Sequence, residues 1–306
     1  MKKFIIFISI VFAAQYLSAQ DEAIFAHYHI NRTLVNPAFA GSNNNHEVFL
    51  HARAQWTGFP GAPKTYALSY NGAFGKKFGL GAMAFSDNAA SLSRTKIALN
   101  YAFKYKIRKF DMSLGMGVDF RNTSVTGSIP LAEGGDRLLG NAIDGIGDFD
   151  ATLGIAAIYN KETFISLAFP NLVSSRKGDV SAGDNDSKLF DFFMFNIGHK
   201  FAVDDNSFTI TPSILVRRVR TAPFTADFNI IAGFLNEMLQ TGLSYRAGTG
   251  GALGLLLGTK FKNVSVFYSY DVAFQGFQTY NSGIHELTIG FGFAKKDEGD
   301  RAKDFR

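Results

Sequence analysis

Six histidines are the first residues that could do chemistry: His27, His29, His46, His51, His199 and His285. His27 and His29 stand two apart, a spacing able to chelate a metal, yet no third ligand accompanies them in sequence. The pair reads as exposed positions of an extended segment. Serine hydrolysis needs a serine held beside a histidine, but no Gly-x-Ser-x-Gly elbow occurs. His199 and His285 have no partner visible in sequence and read as wall or rim residues. Gly134-Gly135 and Gly145 do not open a helix, so no phosphate cradle follows. Gly248, Gly250 and Gly251 mark a turn. Asp179, Asp184 and Asp186 sit among Gly and Ser without the spacing of an EF-hand, and read as a solvated loop. The absence of cysteine excludes a disulfide framework, a thiolate metal site, a cysteine nucleophile and a lipoprotein anchor. A net charge of +5 is spread along the chain, which leaves no nucleic-acid footprint. The expectation is a protein that is not an enzyme, with no cofactor and no metal.

The elements that carry these residues show period two. Ile97, Leu99, Tyr101, Phe103, Tyr105 and Ile107 alternate with Lys96, Ala98, Asn100, Ala102, Lys104 and Lys106. Phe110, Met112, Leu114, Met116, Val118 and Phe120 alternate with Asp111, Ser113, Gly115, Gly117, Asp119 and Arg121. Successive side chains of a strand point to opposite faces, so each run has one apolar face and one polar or small face. The pattern recurs down to Leu287-Ile289-Phe291-Phe293. Many runs are about 10 residues long, which suits a tilted strand crossing a bilayer.

These runs number about fourteen, an even count, as closed bacterial barrels require. They fall at 47–54, 64–74, 77–86, 95–107, 110–121, 148–160, 162–169, 189–201, 207–217, 225–234, 237–246, 251–261, 263–272 and 284–293. Connections alternate in length. Short turns fall near Gly75-Lys76, Arg108-Lys109, Asn160-Lys161, Asp204-Asp205, Leu235-Asn236 and Lys262-Asn263. Longer links are expected at 55–63, 87–94, 122–147, 170–188, 218–224, 247–250 and 273–283, the link 247–250 being short for its class. Short periplasmic turns and longer external loops are the pattern of an outer-membrane barrel. The fold expected is therefore all-β: a transmembrane antiparallel β-barrel with both ends in the periplasm. A soluble sandwich also alternates, but it gives less reason for the even count and the alternating loop lengths.

Four regions follow. Lys2-Lys3, an apolar run over Phe4–Ala14 and Leu17-Ser18-Ala19 have the layout of a secretory signal peptide over 1–19, cleaved near Ala19. Residues 20–45 read as an N-terminal periplasmic segment, 46–294 as the barrel in outer-membrane lipid, and 295–306 as a charged tail, disordered and solvated. Inside the barrel fall Lys96, Lys104, Asp111, Asp119, Arg121, Asp148, Asp150, Arg217, Asp227 and Asp271. Opposite charges among them could cross-link and plug the lumen, or border a water-filled channel.

Asn36-Pro37-Ala38-Phe39-Ala40-Gly41 and Gln55-Trp56-Thr57-Gly58-Phe59-Pro60-Gly61-Ala62-Pro63-Lys64-Thr65 are more specific. With Pro212-Ser213, Ala222-Pro223 and Asp227, Ser244-Tyr245-Arg246, Tyr270-Asp271 and Ser282-Gly283-Ile284-His285-Glu286-Leu287, they resemble the PorP/SprF family of type IX secretion membrane proteins of the Bacteroidetes. The resemblance runs through nearly the whole mature chain. The charged tail after Phe293 departs from chains that stop at the last strand. The resemblance implies a barrel serving type IX secretion and, in gliding species, surface display of large adhesins. The implied partners are secreted proteins with a C-terminal sorting domain and components of the periplasmic secretion ring.

Gln55, Trp56, Gly58, Phe59, Pro60, Gly61 and Pro63 are the candidate contact residues. Pro60 and Pro63 fix φ, and Gly58 and Gly61 permit tight turns, so an ordered loop is expected. It would be a docking surface for a secreted partner or an inward-folded plug. The function expected is the binding or anchoring of a secreted adhesin-like substrate, or its coupling to the secretion and gliding machinery. The alternative is a passive pore or a hydrophobic-solute transporter.

Overall fold

The computed structural model describes residues 25–58, 60–125, 145–173, 192–203, 207–219, 224–248, 251–274 and 282–293. The expected leader, its cleavage near Ala19 and the charged tail 295–306 lie outside the described residues.

Fifteen strand segments form one sheet: β1 (His46–Gln55), β2 (Lys64–Phe74), β3 (Phe78–Ala89), β4 (Leu92–Ile107), β5 (Phe110–Val125), β6 (Ile146–Tyr159), β7 (Thr163–Phe169), β8 (Phe193–His199), β9 (Phe201–Val203), β10 (Phe208–Arg218), β11 (Thr225–Phe234), β12 (Leu239–Ala247), β13 (Ala252–Phe261), β14 (Val264–Ala273) and β15 (Ile284–Phe293). Each pairs antiparallel with its neighbours, and β15 pairs with β1 from His46↔Phe293 to Gln55↔Ile284, which closes the ring. Closure leaves the short β9, which pairs with β10 alone, as the one strand with an unpaired edge among the described residues.

β8 and β9 together make one stave of a 14-stave wall. Both pair with β10 in one register, and the pairing skips Thr211 and Pro212. Pro212 has no N–H to give the ladder. Lys200, opposite Thr211, donates its N–H on the other side, to the Glu162 carbonyl at 2.9 Å.

Alternation decides which side chains meet lipid. Ile97, Leu99, Leu114 and Met116 lie on the outer face and are about half exposed, between 49% and 63%. Such exposure suits a wall whose solvent is hydrocarbon. At the short-turn end the outer face carries a ring of aromatics, among them Phe74, Phe78, Phe110, Phe234, Phe261 and Phe293. Neighbouring rings touch there, with Phe110 and Tyr159 centroids 4.9 Å apart and Phe208 and Phe234 5.2 Å apart. This is the girdle expected at a membrane–water interface.

The fourteen expected strands all appear, with shifted ends. Two of these shifts correct the long link at 87–94. β3 and β4 continue to Ala89 and Leu92 and meet in a two-residue turn. The apolar period stops near Ser86 because the strands have left the membrane. The ladder continues because backbone pairing does not need lipid.

Candidate functional site

The lumen is not empty. Residues 25–41 cross it as three short 3-10 turns at Ala26–His29, Arg32–Leu34 and Pro37–Phe39. For residues 25–41 this corrects the expected N-terminal periplasmic segment, because these residues find their partners on the inner wall.

The first turn is held by Glu286 of β15. Its carboxylate accepts the Ala26 N–H and the His27 N–H, each at 2.8 Å. Arg53 of β1 donates to the same carboxylate through Nη1, also at 2.8 Å. Backbone N–H groups at the start of a helical turn have no internal acceptor, so a carboxylate placed there satisfies them. Glu286 is 1% exposed and Arg53 4%. A charge pair so buried is held only while both partners remain. Thr288 Oγ1 lies between two imidazoles, 2.7 Å from His27 Nδ1 and 2.8 Å from His51 Nδ1. Burial lowers the pKa of the fully buried His27 below its ordinary value, with Glu286 pulling the other way. Asn229 of β11 donates to the Tyr28 hydroxyl.

Aromatic and apolar contacts fix the segment further along. Phe25 packs with Ala67 and Phe85, the two rings edge to face with centroids 6.2 Å apart. The Arg32 guanidinium lies over the Phe164 ring at 3.8 Å. Such a desolvated cation over an aromatic face contributes about 2 kcal/mol.

The Asn36–Gly41 motif is the tightest part of the crossing. Asn36 caps its own turn by accepting the Ala38 N–H at 2.9 Å. Its Nδ2 donates to the carbonyls of Ile155 and Leu167, both at 3.2 Å. The motif lies directly on wall backbone. A Cβ on Gly79 would stand 1.9 Å from the Ala40 carbonyl oxygen, and one on Gly115 would stand 2.2 Å from the Ala38 nitrogen. Glycine at these two wall positions makes room for the segment. Gly41 N–H then donates to Asn71 Oδ1 at 2.6 Å, and Lys104 Nζ donates to the Gly41 carbonyl at 2.7 Å. The chain leaves at the short-turn end and enters β1.

The crossing divides the lumen. Toward the longer loops lies a cavity of about 140 Å³ bordered by Phe25, Asn36, Arg121 and Asn171. Toward the short turns lies a vestibule of about 1100 Å³. The outer end is cross-linked by charge. Arg121 Nη2 donates to Asp150 at 2.6 Å and its Nε lies 3.1 Å from Asp119. Asp227 accepts from Arg246 at 2.8 Å and lies 3.5 Å from Arg217. Asp150 also accepts from Asn171 Nδ2 at 2.8 Å and from the Val173 N–H at 3.0 Å, which folds the start of loop 170–188 into the outer mouth. At the outer end cross-linking is the arrangement found, while Lys104 and Asp111 border the vestibule.

The candidate contact loop lies along the rim. Gln55 N–H donates to the Pro63 carbonyl at 2.9 Å, closing the loop on itself. On one side Ser282 N–H donates to the Thr57 carbonyl at 2.9 Å. On the other Ala90 N–H donates to the Gly61 carbonyl at 2.8 Å. Trp56 takes φ +51°, and Gly58 and Gly61 take φ +99° and +75°. Gly58, Pro60 and Gly61 are exposed, Gln55 and Trp56 are half-buried, and Pro63 is buried. Phe59 lies outside the described residues. The described part of the loop borders neither luminal space, and the lumen is filled by the N-terminal segment instead.

The sequence pattern placed the inward charges on the correct face but did not reveal the central lock. Arg53 and Glu286 are register partners across the closing seam. Inward parity of the first and last strands, joined by ring closure, was the signal that could have paired them. Among the described residues no three His, Asp or Glu side chains converge as a metal site. His285 faces outward, 2.7 Å from the Tyr268 hydroxyl, and His199 lies 2.6 Å from Thr163 Oγ1. Both are wall residues. Asp179, Asp184 and Asp186 lie outside the described residues.

Fold and lumen together define an outer-membrane β-barrel filled by its own N-terminal segment. Residues 17–291 match the family described as type IX secretion system membrane protein PorP/SprF. The chain belongs to that family. A search of curated proteins finds no match. Solved structures of similar fold include the Pseudomonas putida (P. putida) toluene transporter TodX, with a TM-score of 0.50 and 11% identity over 87% of this chain and 95% of that one. Another is the Acinetobacter baumannii outer membrane protein Omp33, with a TM-score of 0.49 and 8% identity over 82% and 98%. At such identities the likeness concerns fold alone.

Proposed function

We propose that this barrel binds or anchors a secreted, adhesin-like substrate at the cell surface, or couples it to the secretion and gliding machinery, and catalyses no reaction. The observation that carries the reading is the filled lumen. A segment locked to β15, β11, β6 and β7 leaves binding as the better use of the wall. Membership of a type IX secretion family supports a partner carrying that pathway's C-terminal sorting domain, with periplasmic ring components as further partners. The exposed positions Gly58, Pro60 and Gly61, held on a rim tied to both neighbouring connections, suit a rigid contact surface. A rigid loop loses little conformational entropy on binding.

The experiment is a pull-down of the tagged barrel from native outer membranes, read by mass spectrometry. Recovery of a large secreted protein with a sorting domain is the expected result and names the cargo. Recovery of ring proteins alone moves the role to the machine. Recovery of neither overturns the reading in favour of a passive pore or hydrophobic-solute transporter, for which solute flux through planar bilayers is the check.

A further inference from the structure

The vestibule below the crossing segment is built differently from the rest of the lumen. It is lined by eight Lys and Arg side chains and three carboxylates. Two of the three carboxylates are taken: Asp111 lies 3.7 Å from Lys106, and Glu237 3.4 Å from Lys200. Lys76 and Lys77 in the β2–β3 turn and Lys161 in the β6–β7 turn are exposed. Among the described residues these three have no carboxylate partner. Like charges gathered around one concave mouth repel each other, so they lower the stability of the empty barrel and favour an anion that enters.

We propose that this periplasmic mouth is a docking site for an acidic polypeptide segment of a periplasmic partner. Three observations choose that occupant. The space of about 1100 Å³ exceeds what a single small anion fills. The crossing segment roofs it, so an anionic solute that enters has no onward path, and a bound segment is the occupant that a blind vestibule suits. Ser42, Asn43, Asn44, Thr209 and Thr211 add neutral hydrogen-bonding groups to the lining, which serve a peptide backbone as well as side chains. The site is independent of the cargo reading, which rests on the outer rim.

The test uses the purified full-length barrel in lipid nanodiscs and a fluorescein-labelled poly-glutamate peptide, titrated at low and at physiological salt. The expected result is saturable binding that weakens with salt and falls about tenfold or more in K76E/K77E/K161E. These are exposed turn positions, and an unchanged thermal unfolding profile verifies that the variant is folded. K109E, at a turn on the same end but outside the vestibule lining, should bind as the parent does. Absence of saturable binding overturns the proposal. So does equal binding by the triple variant, or equal weakening by K109E, which would assign the effect to overall charge. Displacement of the peptide by inorganic phosphate at matched charge overturns the polypeptide assignment in favour of a phosphate ligand. Loss of cargo in the pull-down described above leaves this result untouched, so the two readings fail separately.

Discussion

Above the crossing segment and at its level, the wall arginines Arg53, Arg121, Arg217 and Arg246 each have a carboxylate within 4 Å. At the short-turn mouth, Lys76, Lys77 and Lys161 stand exposed in turns without such a partner among the described residues. The same wall thus spends charge in two ways. In the upper half, charge joins strands to each other and to residues 25–29, and burial makes each pair hard to break. At the mouth, water screens the lysines, so they add little to the fold and remain available to something outside it. Paired and buried charge here marks structure, while unpaired and exposed charge marks a surface for binding.

Deleting residues 25–41 should have the largest effect. Planar bilayers should pass from a quiet baseline to resolvable single-channel steps, because fourteen staves enclose a lumen that, among the described residues, this segment fills across its middle. K76E/K77E/K161E should leave the baseline quiet. Channel activity in that variant would mean that the mouth, too, holds the plug.

Glu286→Ala comes next. It leaves Arg53 buried without its partner and strips two backbone N–H groups of their acceptor. The expected loss is about 3–5 kcal/mol, read as faster hydrogen exchange over residues 25–31. Lys76→Ala, at an exposed turn, should stay within about 0.5 kcal/mol of the parent. Comparable losses in the two variants would erase the distinction between the halves.

Gly115→Ala sets a new Cβ against the Ala38 nitrogen and should cost about 1–3 kcal/mol by displacing the segment. Gly292→Ala, whose Cβ would meet its nearest atom at 3.9 Å, is the matched wall position near the mouth and should be close to neutral. Thermal unfolding of both variants in one detergent makes the comparison.

The smallest effect is one of pH. Burial lowers the pKa of His27 in the fold, so the unfolded or released segment takes up the proton first. The stabilisation is complete above the ordinary value of 6.5 and is lost progressively as pH falls below it. Channel openings should therefore become more frequent below that pH in the parent and less so in His27→Asn, where His29, its pKa lowered by burial to about 3, leaves a remaining response of the same sign. A flat response in the parent would show that Glu286 compensates the buried imidazole.

Much of the wall was legible before any coordinates. Ile97 through Ile107 and Phe110 through Phe120 announce their strands because lipid on one side and polar groups on the other impose a period of two. The errors fall where that cause is absent. β3 and β4 run past the membrane on backbone pairing alone, and β8 breaks opposite Pro212. The contact loop was legible as ordered, since its prolines and glycines are local signals, but its hydrogen bonds to 90 and 282 were not.

The sequence by itself determined the number of staves and the face each side chain takes. These follow from local alternation and from the bilayer as solvent. Only the tertiary structure decided that residues 25–41 lie inside the lumen. They carry no period, and the groups that hold them are remote in the chain: Ala26 is bound by Glu286, 260 residues away. Whether Glu286 meets a backbone amide, an arginine or water depends on which strands close the ring and what threads it, and that is settled in three dimensions.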